Sequence, residues 1–203
     1  MKVILETPRL FLREFLDADL EALFSVIGDA DTMRFYLRPF TRHETAEWIT
    51  RNQRRYAEFG YGLWPVILKS SGDFIGDCGL CWQDVDSDRL LEVAYHIHRD
   101  HWNRGYATEA ARACMRQGFE TVGVPKLMSL IRPENLQSRR VAEKNGLRIE
   151  RQTMRVGLVH DVWAMTREMW NSVDFATQSR KAGHCHSERS EESAVPSVDR
   201  NKG

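Results

Sequence analysis

The stretch from Arg99 to Val122, RDHWNRGYATEAARACMRQGFETV, begins as a polar loop and continues as a helical pattern, with Gly105 at the change. Backbone N–H groups left free at a helix start, together with the positive end of the helix dipole, attract an anion. Gly105 lets the backbone approach a ligand closely, and Ala107 adds little bulk beside it. This chemistry suits a pyrophosphate. The rival reading is a plain strand-to-helix turn, where glycine is also common. Cys78 and Cys81 form a C-x-x-C, but inside a strand-like run and without the helix start that lowers the thiol pKa in redox motifs. His96 and His98 lie two apart on a strand and lack a clear third ligand even with His101 nearby, so no metal is expected.

These groups need elements to hold them. Leu90 to His98 is a strand-like apolar run. The segment after Gly105 carries apolar or small residues at Ala107, Ala110, Ala111, Cys114, Met115, Gly118, Phe119 and Val122, the three-and-four spacing of one helix face. Lys126 to Ile131 is a short strand. Together these make a βαβ unit with parallel strands and a ligand site at their carboxyl ends. Upstream, Leu5 to Phe15 reads as one opening strand, and Leu16 to Ile27 as a helix capped by Asp17 or Asp19. Thr41 and Glu44 form a capping box for a helix running to about Phe59 and stopped by Gly60. Tyr61 to Lys69 and Phe74 to Trp82 form a hairpin about the Ser70–Asp73 turn. Asn135 caps a last helix that ends at Gly146. Leu147 to Gly157 and His160 to Trp170 are two further strands.

The chain has 203 residues, with 29 basic and 29 acidic side chains and zero formal charge. That balance argues against a nucleic-acid partner. No apolar run approaches the roughly 20 residues of a membrane span, and no signal segment opens the chain, so a cytoplasmic protein is expected. Beyond about Val173 apolar residues nearly vanish, and residues 173–203 are expected to be a disordered tail. Its HCHSERSEES run looks like a translated bacterial intergenic repeat, and His184, Cys185 and His186 are not expected to form a metal site.

The order of elements and three motifs together resemble the GNAT superfamily of N-acetyltransferases, in particular the RimJ/RimL branch, over about residues 1–170. The motifs are the opening TPRLFLREFLDADLEALF, the loop Trp102-Asn103-Arg104-Gly105-Tyr106-Ala107-Thr108-Glu109-Ala110, and Asn135-Leu136-Gln137-Ser138. Trp102 stands where the superfamily loop often has Gln or Arg, and an aromatic there is typical of the resembling branch. The resemblance implies an α/β fold of the α+β type. Its central sheet would be mixed and mostly antiparallel, with about six or seven strands and about four helices, splayed between the fourth and fifth strands. Residues 1–172 would form the acetyltransferase domain.

The resemblance also implies acetyl-CoA as cosubstrate, with no metal, and an amine acceptor. The acceptor would be a protein N-terminus or a small-molecule amine, attacking the thioester directly in a ternary complex. The amides of Asn103, Arg104, Gly105, Tyr106, Ala107 and Thr108 would hold the pyrophosphate, beside Trp102. The pantetheine arm would add to the strand end at Ile97, His98 and Arg99. Glu92 is the candidate base, with hydrogen bonding or arginine pairing as its rival role. Ser138 is the candidate donor to the leaving thiolate, with helix capping as its rival role. Asn135 is assigned to pantetheine contact or capping, and Arg139, with Arg140, to the adenosine phosphates, although helix arginines are commonly solvated. Asp77, His96 and His160 are possible substrate-side groups, and Tyr106 is expected to pack. The protein is expected to be a monomer or homodimer. A catalytically silent acyl-CoA-binding sensor is the alternative function.

Overall fold

A computed structural model describes residues 2–172. The tail expected over 173–203, including His184, Cys185 and His186, lies outside the described residues. Residues 1–167 form one compact unit, and a second begins at Glu168.

In chain order the first unit contains β1 (Val3–Glu6), β2 (Leu10–Arg13), α1 (Leu20–Ile27), α2 (Arg42–Phe59), β3 (Leu63–Leu68), β4 (Phe74–Val85) and β5 (Asp88–Ile97). There follow α3 (Tyr106–Arg116), β6 (Lys126–Ile131), α4 (Leu136–Lys144), β7 (Arg148–Arg155) and β8 (Leu158–Thr166). A short helix spans 167–172. Among the described residues no helix is long and apolar enough to cross a membrane.

The strands form one mixed, open sheet of eight, in the order β1-β2-β3-β4-β5-β6-β8-β7. All neighbours are antiparallel except β5 and β6. The eighth strand arises because the run read as one opening strand is a hairpin. Pro8 fixes the backbone at its turn, and Thr7 closes it: its N–H donates to the Leu10 carbonyl at 2.9 Å while its Oγ1 accepts the Leu10 N–H at 3.0 Å.

Local signals set the helix ends. The Thr41 Oγ1 accepts the Glu44 N–H at 3.2 Å and the Glu44 carboxylate accepts the Thr41 N–H at 2.8 Å, so α2 starts where its capping box indicates. Asp19 does not cap α1 forward. It accepts the Leu16 N–H at 2.8 Å behind it and forms a buried two-point ion pair with Arg13, each bond 2.6 Å. The α3 helix is shorter than its hydrophobic pattern, because Gln117–Val122 widens into a π-helical turn. There Gly118 passes so close to β6 that a Cβ would stand 3.0 Å from Leu127 Cδ1, and Phe119 remains fully buried.

The sheet is covered on both faces. Phe15, Leu23, Val26, Ile27, Met33 and Ile49 form a core between α1, α2 and the sheet. On the other face Cys78 of β4 meets Cys114 of α3, sulfur to sulfur at 3.5 Å. Cys78 and Cys81 lie three apart on one strand and so point to opposite faces, which separates the C-x-x-C pair.

Candidate functional site

The parallel pair β5 and β6 is in register only at Leu91↔Leu127 and Glu92↔Met128. Beyond Glu92 the two strands part, and side chains take over the hydrogen bonds that a ladder would make. The Ser129 hydroxyl donates to the Val93 carbonyl at 2.7 Å, and the Leu130 N–H donates to Glu92 Oε1 at 3.2 Å. An opening in the sheet whose edges are satisfied in this way costs little buried polarity. Two cavities meet at this fork, of about 220 Å³ and about 420 Å³. They share Phe35, Tyr36, Tyr95, His96, Asn135 and Ser138.

The first cavity reaches the start of α3, where it is lined by Trp102, Asn103, Gly105, Tyr106, Ala107 and Thr108. Asn103 (φ 60°) and Gly105 (φ 79°) are both left-handed, and only at Gly105 is the residue free of a Cβ penalty. The first turn of α3 exposes N–H groups that no intrahelical carbonyl reaches. Its one acidic residue, Glu109, is turned away and neutralised. The Arg9 Nε donates to Glu109 Oε2 at 2.6 Å, and the Arg9 N–H and Thr7 hydroxyl donate to Oε1 at 2.9 and 2.7 Å. These bonds hold the Glu109 carboxyl below its ordinary pKa although partial burial pushes the other way. Arg9 also donates from Nη1 to the Arg104 carbonyl at 2.9 Å and lies over the Tyr106 ring. The β1–β2 turn thus clamps the loop, and the positive helix end faces the cavity with Arg140 and Lys144 on its wall.

Glu92 lines the second cavity. It is buried, and burial raises its pKa against the Leu130 N–H and the Gln83 amide, which donates to Oε2 at 2.8 Å. A buried carboxylate with raised proton affinity is a competent proton acceptor. Cys81, beside it, is held as a thiol, with its pKa pushed up to about 12 by burial and by Glu92.

Four residues further along β5, His96 places Nδ1 2.7 Å from Asp77 Oδ1 and Nε2 2.8 Å from the Tyr36 hydroxyl. Asp77 is fully buried on β4 and also accepts the Trp48 indole N–H of α2 at 2.9 Å. Burial opposes a charge on His96, but the Asp77 carboxylate and the more distant Glu92 outweigh it and raise its pKa. The Tyr36 hydroxyl is turned inward, and burial with the nearby carboxylates raises its pKa as well. The result is a hydrogen-bonded line from Trp48 through Asp77 and His96 to Tyr36, ending where the cavities join.

The structure gathers most of the residues singled out in the sequence. Glu92, His96 and Ser138 line the second cavity, and the 102–108 loop, except Arg104, lines the first. Asn135 is the cap of α4, its Oδ1 accepting the Ser138 N–H at 3.1 Å, so Ser138 sits in the first helical turn rather than at the cap. Ile97 lines the first cavity, but its carbonyl accepts the Trp102 indole N–H at 2.7 Å. Arg99 turns away and pairs with Asp29 and Asp31, tying down the segment that carries Tyr36. His98 does not line either cavity, and Asp77 stands behind His96. Arg139 donates to the Pro133 carbonyl at 3.1 Å and lies over Trp163, whereas its neighbour Arg140 lines the first cavity. His160 lines the second cavity. Sequence reasoning missed Arg9, Tyr36, Gln83 and Arg155. The signal for Arg9 lies in the opening TPRL, whereas Tyr36 stands in an irregular segment with no pattern to mark it.

Comparison with known proteins gives a consistent result. A family model for the Acetyltransferase (GNAT) domain matches residues 9–148. The uncharacterized protein YkkB of Bacillus subtilis (strain 168) is 40% identical over 147 residues, spanning 72% of this chain and 86% of that protein. A GNAT-family acetyltransferase structure from Bacillus anthracis superposes with a TM-score of 0.67 at 27% identity, over 83% of this chain and 99% of that one. RimL, a ribosomal L7/L12 alpha-N-protein acetyltransferase solved with coenzyme A, shares the fold with a TM-score of 0.64 at 16% identity, over 81% and 98% of the two chains.

Proposed function

This chain belongs to the GNAT acetyltransferase family, and from that premise we propose that it moves the acetyl group of acetyl-CoA to a primary amine by direct attack in a ternary complex. The observation that carries the reading is the shared wall of the two cavities. A donor entering past α3 and an acceptor entering past Glu92 meet only at the fork.

On this reading the amides of residues 103–108 hold the pyrophosphate, with Arg140 and Lys144 as countercharges. Ser129 marks the Val93 carbonyl as facing the fork. The alternation of the strand then presents Tyr95 and Ile97 along the same edge, for the pantetheine amides. With Trp102 already on the Ile97 carbonyl, Tyr95 supplies that edge.

The amine lone pair attacks the thioester carbonyl carbon, the C–S bond breaks, and an amide C–N bond forms. The amine proton passes to Glu92, directly or through water. The leaving thiolate accepts a hydrogen bond from the Ser138 hydroxyl, with the Tyr36 hydroxyl as a second donor at the junction, and takes its proton from water, to which Glu92 returns the one it accepted. Within this proposal residues 1–172 are the catalytic domain and the protein works in the cytoplasm as a monomer or homodimer, resembling the RimJ/RimL branch.

The test is thiol release from acetyl-CoA across a panel of primary amines. Amine-dependent release, with acetylated amine found by mass spectrometry, is expected. A folded protein that binds acetyl-CoA yet releases thiol with no amine would refute the proposal.

A further inference from the structure

The second cavity carries charges beyond Glu92, and they are not evenly paired. Arg38 is taken up by Glu44 through two hydrogen bonds of 2.8 and 2.6 Å. Arg155, at the end of β7, is not neutralised in this way. Its Nη2 donates to Gln83 Oε1 at 2.6 Å, and its Nη1 is buried with no hydrogen-bond partner. Arg132, just past β6, gives one nitrogen to Glu134, while its Nε is also buried without a partner. Both arginines line the same cavity, as does His160 of β8. Burial, with the repulsion of Arg132 and Arg155, lowers the His160 pKa.

Buried guanidinium N–H groups without acceptors are costly. A guanidinium that lines a cavity and is held by an amide rather than a carboxylate, as Arg155 is by Gln83, suits a planar, two-oxygen anion. The same cavity holds the opposite charge at Glu92, and Gln83 links the two ends, its Oε1 accepting from Arg155 and its Nε2 donating to Glu92. A cationic and an anionic group are thereby held one side-chain amide apart. The wall of the same cavity is aromatic at Phe35, Phe40 and Trp48.

We propose that the acceptor is an amine that also carries a carboxylate, its amine toward Glu92 and its carboxylate held by the guanidinium groups of Arg155 and Arg132, which line the same cavity. This deepens the acetyltransferase reading and rests on it. The aromatic wall adds a preference for an apolar body, so apolar amino acids are the acceptor class.

Steady-state thiol release tests this with pairs that differ only in the acid: L-phenylalanine against phenethylamine, L-leucine against 3-methylbutylamine, and 4-aminobutyrate against butylamine. O-Phosphoethanolamine against ethanolamine forms a phosphate arm. The acid member is expected to exceed its partner at least tenfold in kcat/KM. Arg155→Leu and Arg132→Leu are each expected to erode that ratio at least fivefold, through the KM for the acid. Arg155→Lys should restore part of it, and melting curves on each variant confirm folding. Equal or faster transfer to the bare amines overturns the inference and leaves the acetyltransferase reading standing. So does a ratio unchanged in both leucine variants, and so does a phosphate acceptor preferred over every carboxylate. Acetyl-CoA binding without transfer to any member of these pairs overturns this inference, whereas the acetyltransferase reading falls only if the wider amine panel is silent as well.

Discussion

The two oxygens of Glu92 have different partners. Oε1 closes the broken ladder at Leu130, and Oε2 accepts from the Gln83 amide and the Cys81 thiol. Closing the ladder with one oxygen therefore does not compete with the proposed role of Glu92 as base. Because burial raises its pKa above the ordinary 4.5, the base form is reached at higher pH than for an ordinary glutamate. The acid limb of kcat/KM is expected above 4.5. In Glu92→Gln the rate should fall by about 10²–10⁴-fold and that limb should vanish, since a positioned base contributes about that much. A limb that persists in the variant would assign the proton elsewhere.

His96 makes the opposite demand at the same scale, because its folded pKa is raised by Asp77 despite burial. A raised histidine pKa contributes stability that is fully present below the unfolded value near 6.5 and is lost as pH rises through the folded value. The melting temperature should therefore decline as pH rises upward from about 6.5, and His96→Asn should flatten that decline. Melting curves across pH for both proteins read this directly.

Among the elements, the β1–β2 hairpin and α3 are coupled through Arg9, Thr7 and Glu109. Arg9→Ala frees the Arg104 carbonyl and leaves Glu109 charged beside the helix start. A weaker acetyl-CoA affinity with little change in amine KM is expected by titration calorimetry. Gly105→Trp should do more, since φ is 79° there and the added ring would fill the cavity. Unchanged affinity in that variant would sink the loop assignment. The α1 entry rests instead on the buried Arg13–Asp19 pair, whose side chains are each 9% exposed. Asp19→Ala leaves a buried guanidinium and should cost about 3–5 kcal/mol, visible as a fall in denaturant midpoint, while ligand affinity is retained.

Across the whole molecule, legibility followed locality. The ends of α2 and α4 were readable because Thr41, Glu44 and Asn135 act within three residues of themselves. Gly105 was readable because a left-handed turn before a helix is a single-residue requirement. The Thr7–Pro8 turn was hidden, because apolar and basic residues alternate on either side of it and imitate one strand. The Tyr36–His96 bond joins residues 60 apart, and the Arg155–Gln83–Glu92 line crosses three strands. Neither leaves a periodic trace, since only the folded sheet brings the partners together. The parting of β5 and β6 was expected from family resemblance alone, and its physical cause, side chains replacing ladder bonds at Val93 and Leu130, becomes visible only in the structure.

The central claim is that donor and acceptor meet at the fork in one complex. Initial rates of thiol release, with acetyl-CoA and an accepted amine varied together, test it most directly. Double-reciprocal lines that intersect, with no thiol released before amine is added, are the predicted result. Parallel lines with a stoichiometric burst of thiol in the absence of amine would mean an acetylated enzyme, and would contradict direct attack in a ternary complex.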